Sequence, residues 1–209
     1  ALALGSSAAQ SAEYWLCAGA TSVTFNGTAV TMWGYAQDDN GNLADGCGTG
    51  TVTVPGPALV VGGAGDLTPT QLTVHLRNDL AVETSLIIPG QALPTGGVPA
   101  GPTRYANGRV RSMVHEALPG GGTADYVFAN TKPGSHVYHS ATHQQAQVQM
   151  GLYRAMVMDA AVATAYTGVT YASSVSLFLS EVDPVMHAAI AAGCFGSTPD
   201  ALCGTTLPA

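Results

Sequence analysis

Charge is what this chain has least of. Asp, Glu, Lys and Arg make up 9% of its 209 residues, against about 25% in ordinary soluble domains. Six basic side chains face thirteen acidic ones, and Lys132 is the one lysine. So few cations cannot form the stripe that neutralises a phosphate backbone, which excludes nucleic acid as a partner. Long apolar runs are also missing. Although 46% of the residues are hydrophobic, no stretch approaches the ~20 apolar residues of a membrane span. The opening residues 1 to 9 carry no basic segment and read as a mature end left by processing, or as the tail of a small-residue spacer. Cysteine is scarce: Cys17, Cys47, Cys194 and Cys203 form no CxxC pair and have no neighbouring histidine, so a zinc site is not indicated. Two disulfides are the simplest reading. Three connectivities are open, and Cys17 with Cys47 and Cys194 with Cys203 are favoured because each closes a local, glycine-containing loop. Disulfides imply an oxidising compartment, so the chain is expected to be secreted, extracellular or periplasmic. No Ser-His-Asp set, phosphate loop or dinucleotide fingerprint is present, and Gly62-Gly63-Ala64-Gly65 lacks the helix that would make it a phosphate cradle.

What is abundant is turn and strand chemistry: 26 Gly and 12 Pro among many Val and Thr. Residues 14 to 25 and 29 to 36 are strand-forming runs hinged on Asn26-Gly27, a strong hairpin signal. Further strands are expected at 49 to 54, 58 to 61, 71 to 77, 84 to 88, 123 to 129, 135 to 138, 152 to 158 and 174 to 179. The run from Gln71 to Arg77 alternates strictly, which points Leu72, Val74 and Leu76 inward and His75 and Arg77 outward. Residues 89 to 122 are a Gly/Pro-rich insertion, read as an elaborated loop or as a short hairpin around Asn107-Gly108. Helix is expected only near 184 to 192, with Asp183 as N-cap, Pro184 at the first position and Gly193 beyond the end. Many short strands separated by turns every ~8–12 residues indicate an all-β sandwich or barrel.

Longer motifs sharpen this. Pro55-Gly56-Pro57, Gly65-Asp66 and the 72 to 80 run with Asn78 resemble the PGP…GD…V.L.N.L signature of multicopper oxidases. Residues 119 to 128, 133 to 140 and 151 to 158 resemble later strands of the same family, in order and at similar spacing. The resemblance, over about residues 20 to 180, implies a Greek-key cupredoxin-like β-sandwich of the amino-terminal type. The large bacterial manganese-oxidising members are the nearest guess. The division it suggests is an extension at 1–12, a cupredoxin-like domain at 13–180, and a carboxy-terminal helix with a disulfide loop at 181–209.

The family's cofactor is copper, and most of its ligands are missing here. Blue copper needs two imidazoles and a thiolate; the thiolate's position, by the resemblance, is Ser140. The trinuclear cluster takes paired His-x-His segments, and where the first pair belongs the chain has Ile87 and Pro89. The second begins at His139 but is opened to His139-Ser140-Ala141-Thr142-His143. With six histidines in all, the chain cannot assemble that cluster alone. His139 and His143 are therefore the candidate metal ligands, with His136 as a possible third. The plainer reading leaves His139 hydrogen-bonded to backbone and His143 in water. Met156 and Met158 share one strand face and read as core filler. Arg104, Arg109 and Arg111 read as a solvated loop, or as a face for an acidic partner or neighbouring domain. Asp38, Asp39 and Asp45 are a weak hard-cation candidate.

Two functions follow as expectations. In the first, the chain is a cupredoxin module of a secreted multicopper oxidase that oxidises a metal ion or small reductant, and this module lacks a type 1 site. In the second it is a copper-free, self-associating structural module, as in a filament or sheath. The partners are other cupredoxin domains of the same polypeptide or identical subunits.

Overall fold

A computed structural model describes residues 11–48, 50–62, 71–96 and 101–193. Cys194 and Cys203, and Gly65-Asp66, lie outside these residues.

The chain opens with β1 (Ser11–Phe25) and β2 (Thr28–Gln37), paired antiparallel around Asn26-Gly27. Both turn residues have positive φ, 48° and 82°, the backbone a two-residue primed turn demands. β4 (Gln71–Asn78) lies parallel to β1 and antiparallel to β7 (Gly122–Ala129), giving a four-stranded sheet in the order β2-β1-β4-β7. Leu72, Val74 and Leu76 of β4 are fully buried, while His75 and Arg77 keep partial contact with water. The second sheet has the order β3-β9-β8, built from β3 (Leu59–Val61), β8 (Gly134–His139) and β9 (Tyr153–Met158). Between the sheets lies one apolar cluster that includes Tyr35, Leu72, Tyr126, Phe128, Tyr138, Leu152, Met156 and Met158. The two methionines are core, as their alternation requires.

Pro55 and Pro57 lack N–H groups, and their segment runs against the ends of β8 and β9. Gly56 donates its N–H to the Tyr153 carbonyl at 3.1 Å, and the Tyr138 hydroxyl donates to the Pro57 carbonyl at 2.6 Å. A Cβ on Gly56 would stand 2.8 Å from that hydroxyl, so only glycine fits the approach. Asn78 caps the turn after β4: its amide donates to the carbonyls of Val82 and Ala117 at 2.8 and 3.0 Å, and its oxygen accepts from the Leu80 N–H.

Four expectations need correction. Of the strand expected at 49 to 54, the described residues 50 to 54 form only one bridge, Thr53 to Tyr35. Residues 84 to 88 are largely buried but form no strand, bridging to Ala117 through Thr84 and to His139 through Ile87. Residues 174 to 179 form no strand although they alternate. A helix not expected from the sequence, α1 (Gln144–Met150), follows His143, whose αL backbone starts it without a side-chain cap. The insertion does contain the short hairpin around Asn107-Gly108, β5 (Thr103–Arg104) with β6 (Val110–Ser112). A small hairpin of β10 (Thr164–Tyr166) and β11 (Val169–Thr170) follows β9. α2 (Pro184–Ala191) starts as expected: the Asp183 carboxylate accepts from the N–H groups of Val185 and Met186. It packs on β2, where its buried His187 places Nδ1 3.0 Å from the Thr31 carbonyl.

His115 is buried flat against Tyr126, ring centroids 4.6 Å apart, with its Nε2 unpartnered. Burial lowers its pKa, opposed by the nearby Asp125 carboxylate. The fold therefore favours the neutral ring, while the unfolded chain takes up a proton near pH ~6.5. Its contribution is whole above that value and is lost as pH falls toward the lower folded pKa. Melting temperature should thus drop more steeply between pH 7.5 and 5 in the wild type than in His115→Phe; parallel pH profiles would show the ring is solvated.

Candidate functional site

The site is built where three crossing segments meet the end of β8. Residues 84 and 85 arrive from the first sheet, residues 139 to 143 leave the second, and α1 folds back over both. Ile87 and His139 exchange both backbone hydrogen bonds, at 2.9 and 3.0 Å. The two segments that should each bring a histidine pair are therefore side by side, with Ile87 and Pro89 where the first pair is expected and the second opened to His139 and His143.

At the expected thiolate position, Ser140 is fully buried. Its hydroxyl donates to Gln147 Oε1 at 2.5 Å, and the Thr84 hydroxyl donates to the same oxygen at 2.8 Å. The Gln147 amide donates to the Glu83 carbonyl at 2.6 Å. Three neutral groups from three segments thus satisfy one another in a place water does not reach. A second layer adjoins it. Ser85 Oγ lies 3.1 Å from Ser112 Oγ and 2.9 Å from Thr142 Oγ1, and the Thr142 hydroxyl donates to Glu116 at 2.9 Å. Glu116, whose side chain is 2% exposed, also accepts from the Thr103 hydroxyl at 2.8 Å and from Nε and Nη2 of Arg111. That carboxylate holds the Arg111 pKa above its ordinary value, and Arg111 reaches Glu83 as well, at 3.3 Å. Arg111, a quarter of whose side chain still meets water, thus pairs with acidic groups of this chain.

The candidate ligands are placed as follows. His139 is partly buried, with Nδ1 2.8 Å from the Ser140 carbonyl and, among the described residues, no partner on Nε2. His143 is exposed, and its Nε2 is held by the Tyr105 hydroxyl. It opens onto a cavity of about 720 Å³ lined by Arg109, Arg111, Asn107 and Met113 and free of carboxylates. His136 Nε2 lies 3.1 Å from the Lys132 carbonyl and 3.0 Å from the Gln91 amide nitrogen. In the aspartate loop, Asp38 accepts from the Asn40 N–H and Asn40 donates to Asp45. Among the described residues, the one group of three His, Cys, Asp or Glu ligand atoms close enough to share a metal is Cys17, Cys47 and Asp79. Its two sulfurs are already joined to each other as a disulfide, as the local-loop argument expected.

Sequence reasoning missed Glu116, Thr84 and Gln147. Gln147 stands in a glutamine-rich run, where nothing marks it as the buried member; Glu116 is flanked by Gly/Pro-rich sequence whose course is set by tertiary contacts.

No protein-family profile matches the chain, and no curated protein does. Among solved structures it is similar to a multicopper oxidase from Pseudomonas thermotolerans, at 22% identity and a TM-score of 0.52 over 74% of this chain and 30% of that one. It is similar also to a laccase from Botrytis aclada, at 23% identity and a TM-score of 0.50 over 75% of this chain and 24% of that one. The chain spans less than a third of either protein. These likenesses and the sheet order establish the architecture: this chain is an all-β, cupredoxin-like β-sandwich.

Proposed function

We propose that this chain is a cupredoxin module of a secreted multicopper-oxidase-type protein, acting there as a packing scaffold that offers one imidazole, while other modules hold the copper. The observation that carries this reading is the Thr84–Ser140–Gln147 cluster. Blue copper needs a soft sulfur and two imidazoles, and here two hydroxyls and an amide use their hydrogen-bonding capacity on one another. A type 1 ion does not fit this donor set. A trinuclear half-site does not fit either, since Ile87 and Pro89 carry no donor side chain and the second pair is opened to His139 and His143. The substrate of the whole protein, manganese or another reductant, would be met elsewhere.

His139 is the exception. A histidine that ligates a metal usually donates its other ring N–H to a carbonyl, and Nδ1 of His139 has such a carbonyl in Ser140. Its Nε2 is thereby left with a lone pair. Copper taken up by this chain alone would fall to His139 and His143, weakly, because Arg109 and Arg111 line the cavity beside His143. Titration with Cu²⁺ followed by electron paramagnetic resonance should show at most one equivalent, of type 2 character and nearly colourless, lost in His139→Ala. An intense blue band, or binding that His139→Ala leaves unchanged, would defeat the assignment.

A further inference from the structure

The chain carries a formal net charge of -7, yet the cavity of about 720 Å³ beside His143 has two arginines in its wall and no carboxylate. The two arginines differ. Arg111 is balanced from within the protein, since Glu116 and Glu83 accept from its guanidinium and neither carboxylate lines the cavity. Arg109 is not balanced. Among the described residues its guanidinium has no hydrogen-bond or ion-pair partner, although its main chain is fixed: its N–H donates to Asn107 Oδ1 at 3.1 Å, and its carbonyl accepts from the Tyr105 N–H at 2.9 Å. The hairpin that carries it is held at three further points. Arg104 donates to the Gly108 carbonyl at 2.9 Å, Arg111 ties β6 to Glu116, and the Tyr105 hydroxyl bonds to His143. An uncompensated guanidinium thus stands on a fixed arm at the cavity. Beside it the lining turns apolar: Val110 and Met113 are 44% and 43% exposed, and Ala141 is buried.

We propose that this cavity binds a small organic carboxylate, whose charged end pairs with Arg109 and whose apolar body lies against Val110, Met113 and Ala141. Guanidinium and carboxylate match in geometry, with two parallel N–H···O bonds to a pair. A wall without acids of its own also lets the arginine's field draw anions in. Size decides against a bare inorganic anion. A cavity of this volume suits a ligand with a carbon skeleton, and a phosphate or sulfate ion would leave the three apolar side chains facing water. An uncharged apolar molecule fits less well for the opposite reason, since it would leave Arg109 without a counter-charge. The binding needs no copper, so it stands or falls apart from the module reading.

The test titrates the metal-free 209-residue chain with benzoate, at low salt and near neutral pH, while nuclear magnetic resonance follows the imidazole protons of His143. Those resonances should shift and saturate at one equivalent. Acetate, which lacks the body, and benzyl alcohol, which lacks the charge, should each bind at least tenfold more weakly. Arg109→Gln should weaken benzoate at least tenfold, about the size of one charge-assisted contact. Its melting temperature should match the wild type, because the replaced guanidinium holds no other part of the described structure, so lost binding is distinguished from lost fold. Lys132→Gln removes the same charge outside the cavity lining and should leave the affinity unchanged. No saturable shift, benzoate binding that survives Arg109→Gln, or an equal loss in Lys132→Gln overturns the proposal. Benzyl alcohol bound as tightly as benzoate makes the cavity an apolar site, phosphate bound as tightly makes it an inorganic-anion site, and either result overturns it too.

Discussion

Removing the Cys17–Cys47 disulfide, by reduction or by Cys17→Ala with Cys47→Ala, should cost about 3 to 4 kcal/mol of folding stability. The two residues are 30 apart in sequence, and closing a loop of that length in the unfolded chain carries an entropy of this size in the chain-entropy account. The native structure would lose little by direct contact. Cys17 sits fully buried in the middle of β1, already paired with Ala36 of β2 and Arg77 of β4, so the strand stays in register without the bridge. The effect should therefore lie in the unfolded state. Urea titration should show a lower midpoint and a steeper slope for the reduced protein, because its unfolded chain exposes more surface. Melting temperature should fall by roughly 10 °C, at about 2–4 °C per kcal/mol for a chain of this size. A loss below about 1 kcal/mol with an unchanged slope would mean that the β1–β2 hairpin persists when the rest unfolds, so that the bridge constrains nothing.

That hairpin also shows which parts of the structure can be read from sequence. Asn26-Gly27 specifies its turn by backbone sterics, the Gln71 to Arg77 run specifies its inward face by a period of two, and Asp183-Pro184 specifies a helix start by hydrogen-bonding chemistry. Each signal is local, and each reads correctly. Where the signal is not local the reading fails. Residues 84 to 88 have strand composition, but their partners are Ala117 in one direction and His139 in the other, so no single neighbour pairs along all five residues. Residues 174 to 179 have the alternation and no partner among the described residues. α1 has no side-chain cap and starts from a left-handed histidine, so no capping residue announces it.

The candidate site divides the same way. Loss of copper ligands at Ile87, Pro89 and Ser140 is legible as soon as the motifs are aligned, because it concerns residue identity. What replaces them is not legible, because Thr84, Ser140 and Gln147 come from three segments whose meeting is tertiary. The arginines illustrate the point from the other side. Arg104, Arg109 and Arg111 are alike in sequence, but Arg104 returns to the Gly108 carbonyl of its own hairpin, and Arg111 turns in to Glu116.

The Arg111–Glu116 pair should accordingly be the most sensitive polar contact in the protein. Glu116→Ala is expected to cost about 3 kcal/mol, at the low end of the range for breaking a buried pair because a quarter of the Arg111 side chain meets water. The cost has two parts. Arg111 keeps only the longer contact to Glu83 at 3.3 Å, and the Thr103 and Thr142 hydroxyls lose their acceptor. Glu116→Gln retains the shape and one acceptor oxygen but sets an amide N–H against one of its former donors, so it should lose roughly half as much. Replacing both partners, Arg111→Met with Glu116→Leu, should recover part of the loss, since it removes the unpaired guanidinium, while Thr103, Thr142 and Glu83 still lose their partner. Chemical denaturation of the three variants gives the comparison directly. The same contact holds β6 against Thr142, next to Ser140, and β6 carries the hairpin that brings Tyr105 to His143. Glu116→Ala should therefore free the His143 ring, visible as a shift and narrowing of its imidazole proton resonances, while those of His187, held at the Thr31 carbonyl, stay put. If Glu116→Ala costs under 1 kcal/mol and His143 does not move, the carboxylate is solvated and the hairpin is held by something other than this ion pair.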